Sequence, residues 1–176
     1  MNLAIVQLTR QDQLILRAVQ ESFESMGIDV DIVLQPIGPH IGSLDWERVQ
    51  FNAETMFRWF RTQCSEILAG GYDSTAGIAE VDAYLGGYEY ILSMASRGVS
   101  LNFTARLDNR DVSLYVKRVK KLVLNSWGRS QGITHEGGGK CLFSEIRTVN
   151  DLDGLPEEPC PRCRSGLQIS TTKVSL

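Results

Sequence analysis

The chain is poor in the features that mark several protein classes. It has no apolar run near the ~18 residues needed to cross a bilayer, so no membrane association is expected. Its opening, Met1-Asn2-Leu3-Ala4-Ile5-Val6-Gln7-Leu8, lacks a basic stretch and a cleavage site, and reads as a first strand of a cytoplasmic protein. Four cysteines in 176 residues are too few for a disulfide scaffold, which leaves metal or core roles for them. Five prolines and 16 glycines exclude collagen-like and low-complexity chains. Eighteen basic against 21 acidic residues leave a net charge of −3, so no nucleic-acid partner is expected. What is present is an ordinary globular composition, 43% hydrophobic, at a length close to the ~150-residue prior for one domain.

The pattern along the chain is α/β. Residues 2–8 form a strand, with Thr9 and Asp12 as capping signals for a helix carrying Ile15, Ala18, Val19, Phe23 and Met26 on one face and stopped by Gly27. A second strand over 29–34 follows, and then a loop rich in Pro and Gly that contains His40. Asn52 caps a helix with Met56, Trp59, Phe60, Cys64 and Ile67 inward, which places Cys64 in the core. Strands are expected at Ser74–Glu80, Tyr88–Ala95 and Val99–Arg106. The most regular apolar stripe, Val112, Tyr115, Val116, Val119, Leu122 and Val123, predicts a helix capped within Asp108–Asp111. Its opposite face, with Lys117, Arg118, Lys120 and Lys121, reads as solvated. After Gly132 the periodicity ends in a loop-rich tail holding three of the four cysteines.

Cys160-Pro161-Arg162-Cys163 has the spacing of a zinc knuckle, which supplies two thiolates to one side of a tetrahedral ion. Cys141 suits a third ligand, and His135 and Glu136 are nearby donors for the fourth. The alternative is that these thiols pack reduced, without metal.

The order of elements, the regular helix and the cysteine tail together resemble the archaemetzincins, metalloproteases of the zincin fold. That family carries H-E-x-x-H-x-x-G-x-x-H at the end of the regular helix, then C-x4-C-x-M and a later C-x-x-C; its histidines hold a catalytic zinc and its cysteines a structural one. The resemblance implies a single zincin-like domain, a twisted mixed sheet packed with helices over residues 1–132, with a small Cys-rich C-terminal lobe of the same domain over 133–176.

Matched position by position, the family's first histidine falls on Asn125, its general-base glutamate on Ser126 and its second histidine on Arg129, while His135 and Gly132 are retained. Glu136 stands at the first structural cysteine and Phe143 at the methionine. A guanidinium has no acceptor and a fixed positive charge, so Arg129 repels a divalent ion where a ligand should donate. A serine hydroxyl is too weak a base to replace a carboxylate. The expectation is therefore a pseudo-metalloprotease with one structural zinc at most and no catalytic zinc. Asn125, Ser126, Arg129, His135 and Tyr90 would bind a peptide or protein partner in the old cleft, beside the edge formed by Tyr88–Leu92. Two alternatives stand beside it. One is a rebuilt, metal-independent active site of Arg129 and His135 with Asn125 or Ser126, acting on a small anionic or peptide substrate. The other is a plugged cleft in which Arg129 pairs with a local acid such as Glu136.

Overall fold

The computed structural model describes residues 1–172, so the last four residues of the expected 133–176 lobe lie outside the described part. The chain runs β1 (Asn2–Gln7), α1 (Gln13–Glu24), β2 (Asp29–Val33), β3 (Leu44–Asp45), β4 (Gln50–Asn52), α2 (Ala53–Ala69), β5 (Ser74–Ala79), β6 (Ala83–Tyr84), β7 (Ser93–Ser96), β8 (Val99–Phe103), α3 (Val112–Ser130), α4 (Val149–Asp153) and α5 (Pro161–Thr172). The main sheet has the order β2-β1-β5-β8-β7, parallel except for β7, which lies antiparallel on β8 at one edge. A small second sheet joins β3, β4 and β6.

Parallel strands need crossover connections, and these place helices on both faces of the sheet. Leu3 and Ile5 of β1, with Ala76 and Ile78 of β5, face a core shared with α1 and α3; Val6, Ala79, Leu101 and Phe103 face a second core built on α2. Central strands β5 and β8 are accordingly buried along their whole length. Gly77 belongs to that packing, because a Cβ there would come within 2.6 Å of the Phe60 ring, so its absence lets α2 settle onto β5. Cys64 lies fully buried in this second core, where desolvation pushes its thiol up to about 11.

The caps follow local chemistry. Asp12, rather than Thr9, accepts the Leu14 N–H at 2.7 Å to open α1, and the Thr9 hydroxyl instead accepts the Glu80 N–H. Asn52 and Asp111 cap α2 and α3.

Three expectations need correction. Of the strand anticipated at Tyr88–Ala95, only Ser93–Ser96 is extended in the sheet. The chain turns at Gly86-Gly87, with Gly87 at φ 84°, and the Ile91 N–H then donates to Ala83 O. Tyr88 pairs back with Leu85 in an isolated bridge, and Tyr88, Tyr90 and Ile91 line a cleft instead of joining the main sheet. The tail after Gly132, expected to be loop, contains α4 and α5. With five residues, α4 is too short to show periodicity and is held by a Thr148/Asp151 capping box.

The basic face of α3 is not simply solvated, because the C-terminal lobe docks on it. Arg118 forms a two-point pair with Asp153, while Lys117 and Lys120 both hold Glu157. The Lys121 Nζ, buried, donates to Asp153 O and Leu155 O at the end of α4. The acidic partner of this helix is its own chain.

Candidate functional site

The C-terminal half of α3 is buried nearly all round, and the site is built from it. The helix ends where Gly132 takes φ 77° and the Ile133 N–H bonds to Gly128 O at 2.9 Å, a left-handed C-terminal turn that only glycine adopts cheaply. The chain leaving it leads directly to His135.

Asn125 and Ser126 are fully buried, and neither opens into a cleft. The Asn125 Nδ2 donates to Leu142 O at 2.7 Å and Ser144 O at 2.8 Å, so this side chain ties the 142–144 loop to the helix; its Oδ1 has no partner. The Ser126 hydroxyl donates to Asn102 Oδ1 at 2.7 Å, and Asn102 in turn donates to Gly77 O, a polar chain running from helix to sheet. Trp127 is buried as well, its Nε1 bonded to Ser74 Oγ. Beside them Phe143 occupies the space over Gly128, where a Cβ would be 2.3 Å from the ring.

Arg129 alone of the helix positions reaches the cleft. This cleft, about 370 Å³, lies between the 85–94 segment and the 145–147 loop, with Tyr90, Ser93, Met94 and Ile146 in its wall. Its guanidinium donates from Nη2 to Ser93 Oγ, and its buried Nε has no partner. Burial pulls the Arg129 pKa down, and the charge of Glu145 partly offsets this. Glu145 itself is held by Arg147 through two bonds of 3.0 and 3.2 Å. The anticipated Arg129–Glu136 pair does not form: Glu136 is exposed, and its backbone carbonyl receives Arg162.

His135 turns away from Arg129 and into the cysteines. Its Nδ1 lies 3.6 Å from both Cys160 Sγ and Cys163 Sγ, and the donor atoms of His135, Cys141, Cys160 and Cys163 all lie within 4.8 Å of one another. Tetrahedral zinc with N at ~2.0 Å and S at ~2.3 Å places N and S roughly 3.6 Å apart, so the group fits an ion held by three thiolates and one imidazole. Among the described residues no other set of three or more His, Cys, Asp or Glu is close enough to share a metal. Glu136, the other suggested fourth ligand, is outside the group. The donor chemistry suits the same role. The Cys163 backbone N–H pulls Cys160 down to about 7, whereas burial pushes Cys163 up to about 12. The Cys160 N–H also donates to Cys141 Sγ at 3.3 Å.

The residues of the suggested rebuilt site are therefore not brought together. Asn125 and Ser126 are sealed in the core, Arg129 faces the cleft, and His135 belongs to the cysteine group. The cleft contributions of Ser93, Glu145 and Arg147 carry no sequence signal, since single polar residues on separate segments are indistinguishable from surface. His40 stacks on Trp59 at 5.4 Å and does not line the cleft.

A parallel-rich sheet with one antiparallel edge strand, a long helix packed on it and a His/Cys3 group beyond that helix define the class, a mixed α/β domain with a C-terminal lobe whose donor group could hold a metal ion. The sequence profile described as Peptidase family M54 matches residues 15–169, and the chain belongs to that family. It is 29% identical over 171 residues to the archaemetzincin of Saccharolobus solfataricus, covering 93% of this chain and 91% of the relative. It is 25% identical to that of Sulfolobus acidocaldarius, covering 94% and 96%. Among solved structures, the archaemetzincin of Methanopyrus kandleri superposes with TM-score 0.84 at 22% identity over 98% of this chain and 96% of that one. The archaemetzincin of Archaeoglobus fulgidus, complexed with malonate, gives 0.77 at 21%, covering 94% and 99%. The structural likeness extends the agreement in fold to the C-terminal lobe.

Proposed function

We propose that this M54 chain is a pseudoenzyme of its family. It carries one structural zinc on His135, Cys141, Cys160 and Cys163, holds no catalytic zinc, and binds a peptide or protein segment in the cleft beside β7. The observation that carries the reading is the disposition of the four positions matched to the family's catalytic residues. Two are buried and hydrogen-bonded to the loop and the sheet, one is a cation, and the remaining imidazole serves the cysteine group. A catalytic zinc needs three protein donors and one open position, and these residues do not fit one. The cleft has a wall part apolar and part polar and lies beside β7, the edge strand of the main sheet, where an extended chain can add.

Purified protein should carry about one zinc per chain and cleave neither casein nor a random peptide pool in a chelator-sensitive way. Chelator-sensitive cleavage would refute the reading. No described helix is long and apolar enough to cross a membrane, and a cytoplasmic location remains part of this proposal.

A further inference from the structure

We infer that the cleft recognises a free C-terminal carboxylate, which seats on the Arg129 guanidinium while the last side chain of the bound peptide fills the apolar wall. The inference rests on the peptide-binding reading above and specifies which part of a peptide is bound.

Arg129 has five N–H donors in a planar fork that matches a carboxylate. Among the described residues it makes one hydrogen bond, to Ser93, and its Nε lies buried without an acceptor. Native structures rarely leave buried donors unsatisfied, and a desolvated guanidinium costs stability unless an anion meets it. Glu145, the carboxylate nearest in charge influence, is engaged by Arg147 in a two-point pair. One positive charge in the lining, counting Arg129 and Arg147 against Glu145, is thus left uncompensated.

The rest of the cleft selects what carries the anion. Leu85, Ile91, Leu92, Met94 and Ile146 make about half of its wall apolar, and about 370 Å³ lies at the small end of ligand sites. Ser93, which holds the guanidinium, is also the first residue of β7, at the edge of the main sheet. A carboxylate at Arg129 therefore fixes the register of any strand added there. An internal peptide segment without an acidic side chain has only neutral amides to offer at this point and would leave the cation unmatched.

The test uses the full chain and two random octapeptide pools, one ending in a free carboxylate and one in a carboxamide, with bound peptides read by mass spectrometry. The free-acid pool should be enriched, with large apolar residues last, and the carboxamide pool at least about tenfold less so. Arg129→Gln should remove the enrichment with an unchanged circular-dichroism spectrum, and Arg129→Lys should keep a part of it. Arg58→Gln, on the exposed face of α2 away from the cleft, should change it by less than about threefold. Equal enrichment of both pools, insensitive to Arg129→Gln, overturns the carboxylate assignment while leaving peptide binding standing. Enrichment of neither pool overturns the peptide reading itself. If 4-phenylbutyrate binds in an Arg129-dependent way while neither pool does, a small carboxylate replaces the peptide as the source and the inference fails.

Discussion

Phe143 packs over Gly128, the one residue of the buried half of α3 that has no side chain, and a Cβ there would come within 2.3 Å of Cε1 and 2.5 Å of Cδ1. Helix propensity alone favours alanine over glycine by ~1 kcal/mol. Overpacking of about 1–3 kcal/mol opposes it, and Gly128→Ala should lose up to about 2 kcal/mol net of stability in urea denaturation. Phe143→Leu in the same chain should recover part of that loss; a stabilised single variant would show that the ring moves aside freely.

The cysteine group should accept a fourth thiolate. His135→Cys is expected to keep about one zinc per chain by elemental analysis, because four thiolates close a structural zinc site as well as three thiolates and an imidazole do. Cys163→Ser should lower the zinc content well below one and the melting temperature with it. Unchanged zinc in Cys163→Ser would place the ion elsewhere.

Putting the family's residues back should not put the catalytic metal back. In Asn125→His/Ser126→Glu/Arg129→His the first position still lies under the 142–144 loop, and His135 still faces Cys160 and Cys163. Zinc content is expected to stay near one, and stability to fall by several kcal/mol, since a carboxylate at 126 would be buried. A second zinc with peptidase activity would show that the loop and His135 rearrange readily.

Acid should loosen the C-terminal lobe. Lys117 and Lys120 hold Glu157 down to about 2 from its usual 4.5, and the Arg118 guanidinium holds Asp153 below the usual carboxylate range. Depressed folded-state values contribute stability that is complete above the unfolded values and lost as pH falls through the folded ones. Hydrogen exchange in 149–158 should therefore rise between about pH 4.5 and 2, while the sheet stays protected. Glu157 is partly exposed, so the effect is modest and weakens with salt. Glu157→Gln should flatten the pH dependence, and an unaltered profile would exclude this pair as its cause.

Much of the architecture was legible because it rests on local regularities. The caps at Asn52 and Asp111, the stripe from Val112 to Val123 and the apolar strand at 2–7 each encode their element within a few residues. The spacing of the C-x-x-C pair and Cys141 suggested a set of thiols that could share a metal, and the structure brings these three together with His135. The segment at 88–92 misled because β-type residues also suit the wall of a cleft after a tight turn at Gly86-Gly87, and α4 escaped because it is shorter than any periodicity.

The sequence by itself determined the α/β order and the burial of Cys64, and its resemblance to the family matched Asn125, Ser126 and Arg129 to the motif positions. Only the tertiary structure decided where His135 belongs. A histidine three residues past a helix-ending glycine can swing to either side, and contacts with Cys160 and Cys163, 25 and 28 residues away, direct its imidazole. The same holds for the basic face of α3 and for Arg129, whose roles depend on which distant carboxylates reach them. Asp153 and Glu157 reach the first, whereas Glu145 is taken by Arg147 and leaves the second open.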